Sequence, residues 1–212
     1  MQQFLIIAAA HFLALLSPGP DFFLIARTSL SAGWRVASGT CLGIALANGV
    51  FIAAAFAGMA ALRPGSLPFV ILQLACCAYL VYLGVLFLRY AGRSDLDVSN
   101  GGRSTALGNP FIAWRRATGR GFLAGILNPK NALFYTSLAA MLTGAHASAG
   151  WKTIYGVWMF SIVLLWDVLV ALLIGNRAVL RRFARALPWL ERISGAVLIL
   201  LALGVVAVLW LR

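Results

Sequence analysis

Three uncharged runs constrain this chain more than anything else in it. Val36 to Leu62 has 27 residues without a charged side chain, Pro64 to Leu88 has 25, and Ile193 to Leu211 has 19. A helix needs about 20 apolar residues to cross the hydrocarbon core of a bilayer, so each run is long enough to span. A soluble domain of 212 residues has too little interior for a chain that is 62% hydrophobic and 10% charged, with a mean hydropathy of +0.94. The bilayer is the expected solvent.

Three further spans are expected, two of them interrupted. The run before Arg27 is broken by "SPGPD", Ser17 to Asp21. Gly121 to Leu142 is broken by "LNPKN", Leu127 to Asn131. Lys152 to Asn176, the fifth span in chain order, carries Asp167. The sequence therefore predicts an all-α integral membrane protein with six transmembrane helices. Residues 1–90 form one three-helix repeat, 91–118 a cytoplasmic linker with an interfacial segment ("FIAWRR"), and 119–212 a second three-helix repeat. "RPG" at Arg63 to Gly65 reads as a tight turn. The leading "MQQ" carries no positive side chain and no convincing cleavage site follows, so the first span is expected to belong to the mature protein.

The net charge of +12 is distributed by loop rather than gathered on one polar domain. Thirteen of the seventeen Lys and Arg residues fall in the first, third and fifth loops; Arg63, Lys152 and Arg212 fall on the other side, and Lys130 lies within a span. Positive residues favour the cytoplasmic side, which predicts a plasma-membrane protein (the inner membrane of a bacterium) with both termini outside. The same distribution argues against nucleic acid as a partner.

The breaks resemble each other. In "GPDFFLI" (Gly19 to Ile25) and "NPKNALF" (Asn128 to Phe134), Gly or Asn precedes a proline, an ionisable residue follows, and an apolar run comes next. Each lies in the first span of a half. Three spans per half make the second half enter from the opposite side, which is an inverted repeat. Gly19 and Asn128 are expected as N-caps, with Pro20 and Pro129 at the first helical position, where a missing N–H costs little. Span one runs about 16 residues before its break, roughly 24 Å, and span four about 9, roughly 13 Å. Entering from opposite sides of a core about 30 Å thick, the breaks meet at similar depth. Irregular backbone at that depth needs protein or a water-filled cavity beside it, so Ser17, Pro18, Gly19, Pro20 and Pro129 are expected to line one.

Asp21 near a helix N-terminus is favoured by the dipole, whereas Lys130 at the matching position is opposed by it and needs an anionic partner. Asp21, Asp167 or a substrate carboxylate could serve. A structural Asp–Lys pair bracing two bent helices is the plainer alternative. Asp167 reads equally as a second proton or amine site and as a structural partner for Lys130. Asn48 reads as an interhelical hydrogen bond or a site residue, and Asn128 and Asn131 flank the lysine. "GTCLG", Gly39 to Gly43, with Ala47 is a small-residue stripe for close packing. His11, in the half-helix before the first break, is a weaker candidate for a proton relay. His146 and Glu191 read as interfacial.

"LLSPGPDFFLIARTSLSAGWRVASGTCLGIALAN", Leu15 to Asn48, and "GFLAGILNPKNALFY", Gly121 to Tyr135, resemble the two signature motifs of the LysE/RhtB family of amino-acid exporters. Length, six hydrophobic segments and a basic central loop are similar too. The resemblance implies efflux of amino acids or related small metabolites, driven by an ion gradient, usually protons. A secondary transporter, not an enzyme, is expected. Its partners would be the small-molecule substrate, protons and membrane lipid, with a homo-oligomer as a further option. Three other functions are weighed against it. A metal-ion exporter of related architecture would want more His, Asp or Cys in its spans. A membrane enzyme or thiol relay would want H-E-x-x-H, G-x-S-x-G or C-x-x-C, and Cys41, Cys76 and Cys77 form none of these. An accessory subunit would not explain two broken helices of opposite charge. No cofactor or metal motif is present.

Overall fold

The computed structural model describes residues 2–16, 19–61, 66–91, 109–141, 148–174 and 177–210. The turn at Arg63 to Gly65, most of the central linker, His146, and Ser17 and Pro18 of the first break lie outside the described residues.

Among these residues, eight helices follow in order: α1 (Gln2–Leu16), α2 (Pro20–Ala32), α3 (Trp34–Ala61), α4 (Leu67–Tyr90), α5 (Pro110–Ile126), α6 (Pro129–Ala140), α7 (Ala149–Ile174) and α8 (Arg177–Trp210). Among the described residues there is no strand. Four stretches are long and apolar enough to cross a bilayer: Trp34–Gly58, Leu67–Tyr90, Ala149–Ile174 and Pro188–Ala207. The α1–α2 pair, bent by 53° at its break, makes a fifth when taken as one span. Outward faces carry large apolar side chains, with Leu200 67% and Leu165 65% exposed, as hydrocarbon-facing surfaces require.

Local chemistry sets the boundaries. Gly19 and Asn128 stand at the N-caps of α2 and α6, with Pro20 and Pro129 opening the helices. The Asn128 side chain accepts from Lys130 N at 3.1 Å, satisfying one orphan donor of the first turn. α2 stops at Gly33, whose φ of +83° suits a residue without Cβ. Its N–H closes onto Ser29 O at 3.0 Å, and α3 begins at the next residue. α5 begins at Asn109-Pro110, where the asparagine accepts from Phe111 N at 2.9 Å. "FIAWRR" is therefore the opening of a helix that continues unbroken to Ile126.

The most extensive packing joins α3 to α5. A Cβ built on Gly39 would stand 2.5 Å from the Trp114 carbonyl oxygen, and one on Gly43 would collide with that of Thr118. The fit is reciprocal: a Cβ on Gly121 would collide with the Thr40 carbonyl, and one on Gly125 would lie 2.8 Å from Ala47 Cβ. Two G-x-x-x-G faces thus meet backbone to backbone, a contact in which lost dispersion cannot be recovered by larger side chains. α4 and α8 meet the same way at Gly84 and Gly195, each 2.6 Å from the other's carbonyl if given a Cβ.

Helix ends leave carbonyls without intrahelical partners, and other helices supply donors. Ser194 on α8 donates to Leu13 O near the end of α1 at 2.6 Å. Gln73 on α4 donates to Ala140 O, the last carbonyl of α6, at 3.2 Å. Ser29 on α2 donates to Ala171 O on α7 at 2.5 Å. Such bonds average about 0.6 kcal/mol in membranes, so they fix geometry more than they add stability. Glu191 is buried in α8.

Candidate functional site

Two apolar clusters fill the interior. One gathers residues of α1, α3, α4, α6, α7 and α8, including Ile7, Leu80, Leu138, Tyr155 and Leu198. The other gathers α2, α3 and α7 through Ile25, Cys41, Ile44 and Ala171. A cavity of about 60 Å³ lies where they meet, at the two helix breaks. One water needs about 10–15 Å³ of such volume, so the cavity holds a few waters.

Its polar wall is made by Asp21, Asn48, Asn128, Lys130, Asn131, Tyr135 and Asp167, with Gly19 beside them. The sequence had separated these residues into four spans; the structure brings Asp21, Asn48, Asn128, Lys130, Asn131 and Asp167, together with Tyr135, to one place, while His11 does not line the cavity. Ala14, Leu15, Phe22, Ile44, Phe134, Val163 and Trp166 supply the apolar wall.

Asp21 and Lys130 are not paired as a simple ion bridge. Asp21 Oδ2 accepts from Asn131 Nδ2 at 2.9 Å and from Asn128 Nδ2 at 3.3 Å, so the start of α6 grips the start of α2 through amides. Asn128 works twice: its oxygen caps α6 while its nitrogen holds the carboxylate. The Lys130 ammonium reaches back to the other break, 3.4 Å from where a Gly19 Cβ would stand, and lies 5.0 Å from the centroid of the Phe87 ring on α4. A cation over an aromatic face gains about 0.5–2 kcal/mol, and the gain is larger out of water.

Three acceptor oxygens at this cavity are buried without a donor: Asp21 Oδ1, Asn48 Oδ1 and Asp167 Oδ2. The interhelical hydrogen bond expected of Asn48 is not made by its oxygen. Unpaired buried acceptors are costly, and native structures keep few of them. Here three belong to residues of α2, α3 and α7 that line one cavity. Sequence reasoning did not single out Tyr135 or Trp166. Tyr135 closes the second quoted motif and Trp166 precedes Asp167, so adjacency was the available signal. Among the described residues, no group of three or more His, Cys, Asp or Glu side chains is placed to hold a metal ion. Cys41, Cys76 and Cys77 are free and buried.

Apolar helices, two of them restarting after a break, around a small cavity with charged and amide walls define a multi-pass membrane protein with an internal polar site. The chain belongs to the LysE type translocator family, whose sequence model matches residues 12–208. It is 29% identical to the threonine efflux protein of Salmonella typhimurium and 30% identical to that of Escherichia coli K12, each over 92% of this chain and 93% of the relative. It is 26% identical to the leucine efflux protein of Klebsiella pneumoniae, over 91% of this chain and 87% of the relative. No solved structure matches the chain significantly.

Proposed function

We propose that this protein exports amino acids, or closely related small metabolites, from the cytoplasm by secondary transport, substrate leaving as protons enter. One observation carries the reading: three buried acceptors without donors, Asp21 Oδ1, Asn48 Oδ1 and Asp167 Oδ2, belong to side chains that line one cavity together with Lys130 and the start of α6. A substrate ammonium brings three donors to match those acceptors. A substrate carboxylate suits Lys130 and the helix N-terminus. The relatives named for threonine and leucine efflux support the same class of cargo.

Six spans serve this function, four single helices and the broken pairs α1–α2 and α5–α6, arranged as two inverted three-span repeats. Support comes from the packing: α3 meets α7 and α4 meets α8 across the halves, while α2 packs on α7 and α6 on α3. Rocking of one repeat against the other alternates access to the cavity. The odd loops face the cytoplasm and both termini face outward. With Ser94→Cys in the central loop, a membrane-impermeant maleimide is expected to label only permeabilised cells. Labelling of intact cells would overturn this orientation.

Asp21 is the first candidate for the proton carrier and Asp167 the reserve. In the outward state a proton reaching Asp21 displaces the substrate ammonium; in the inward state its release restores the carboxylate. Purified protein in liposomes loaded with L-threonine or L-leucine tests this. Acid outside is expected to accelerate efflux several-fold, a proton ionophore to remove the acceleration, and Asp21→Asn to respond to neither. Efflux that follows sodium and ignores pH would refute proton coupling and leave export intact.

A further inference from the structure

His11 is fully buried in α1, 124 residues from Tyr135 in α6, and its Nε2 lies 3.3 Å from the Tyr135 hydroxyl oxygen. Its other ring nitrogen, Nδ1, is buried with no partner. Phe134 stacks on the ring at 6.2 Å between centroids, and Trp158 meets it edge-on at 5.4 Å. An imidazolium in that aromatic box would be a buried charge with no carboxylate partner, so the ring is neutral. Two tautomers then compete. With hydrogen on Nδ1, an N–H donor is buried unpaired. With hydrogen on Nε2, the unpaired atom is only a lone pair, and buried orphan N–H groups are the rarer of the two. The second tautomer makes His11 the donor and the Tyr135 oxygen the acceptor.

The hydroxyl hydrogen of Tyr135 must then point away from His11, and Tyr135 lines the cavity. We infer that His11 is a positioning residue: it holds the Tyr135 hydroxyl as a donor into the cavity, where that donor binds the carboxylate of the exported amino acid beside Lys130. The inference rests on the amino-acid reading above and supplies what that reading lacks. The three open acceptors answer an ammonium. A carboxylate has two oxygens: Lys130 meets one, and because the first N–H groups of α6, on Lys130 and Asn131, are already bonded to Asn128, the helix N-terminus offers its dipole but leaves the second oxygen short of a direct charge-assisted partner.

Two measurements decide it. The first needs no substrate. In ¹⁵N-histidine-labelled protein carrying His146→Gln, the His11 spectrum is expected to be that of a neutral ring protonated at Nε2, and to change with Tyr135→Phe. A ring protonated at Nδ1, or doubly protonated, overturns the inference. The second compares binding of L-threonine and L-threoninamide, or of L-leucine and its amide. Tyr135→Phe and His11→Leu are each expected to weaken the amino acid by about tenfold and the amide by far less, since a hydrogen bond to a charged group is the stronger. The double variant should be no worse than either single one. His11→Gln, whose amide can donate from the Nε2 position, should recover most of the loss. Equal losses for acid and amide, or additive losses in the double variant, would mean that His11 merely fills space. If the wild-type protein binds neither acid nor amide, the amino-acid reading falls and Tyr135's carboxylate role with it, while the tautomer still decides whether His11 orients the phenol.

Discussion

Asp21→Asn is expected to lower export by at least about 100-fold while leaving the protein in the membrane at its normal abundance. The size follows from the role proposed for the carboxylate, to offer a buried oxygen to the substrate ammonium, since hydrogen bonds to charged groups are each worth about 1.5–3 kcal/mol. The folded state should survive, because an asparagine oxygen can still accept from Asn128 and Asn131, the two amides that tie α2 to α6. The change therefore removes charge and keeps shape. Lys130→Met is its mirror. Methionine keeps the apolar stem beside Gly19 and Phe87 and deletes the cation, so the substrate carboxylate loses its counter-charge. Asp21→Glu is expected to keep part of the activity, since the charge remains and the extra methylene must displace one amide. Initial efflux from preloaded vesicles, normalised to protein by immunoblot, measures all three. Wild-type rates in both Asp21→Asn and Lys130→Met would reduce these residues to scaffold.

What the sequence made legible was local. A proline behind a cap residue announces a helix start wherever it sits, so Gly19-Pro20 and Asn128-Pro129 could be read without tertiary knowledge. The depth argument then put both breaks in one layer. The interior gave up less, because its pairings join residues far apart in the chain. Asp21 and Lys130 suggested an ion pair by charge alone. The structure gives the carboxylate to Asn128 and Asn131 instead, since side-chain amides at the start of α6 reach it and the ammonium turns to Phe87. His11 and Tyr135 meet across 124 residues, a contact that no spacing encodes. The start of α5 at Asn109-Pro110 carried a readable signal, the same cap-and-proline pair as the breaks. Its arginines and Trp114 were read for their place at the interface, and the cap was passed over. Only one face of the α3–α5 crossing was recognised, Gly39 to Gly43. Its partner, Gly121 to Gly125, has the same spacing but lay inside a stretch read for its proline and lysine.

That crossing carries the other large expected effect. Gly43→Val is expected to prevent accumulation of folded protein, or to leave a minor fraction with a thermal midpoint several degrees lower. The first atom added at Gly43 would overlap the Thr118 carbonyl oxygen and stand 2.5 Å from Phe122 N. Both are backbone atoms in the middle of α5, so no rotamer change relieves the clash and the helices must separate. Overpacking of a well-packed interior costs about 1–3 kcal/mol even where side chains can yield, and here none can. Separation also moves the site. α5 passes through Leu127 directly into Asn128, and Gly125 rests on Ala47, next to Asn48, so the spacing of α3 and α5 sets where two cavity walls stand. Any Gly43→Val protein that does fold should therefore bind substrate poorly. Gly119→Ala is the control: it lies on the same helix α5, and a Cβ there meets nothing within 4 Å. It should match or exceed wild type, since alanine favours a helix over glycine by about 1 kcal/mol. Size-exclusion profiles and thermal unfolding of detergent-purified protein separate the two. A Gly43→Val protein that is monodisperse, with a midpoint within a degree of wild type, would mean that α3 and α5 do not meet backbone to backbone.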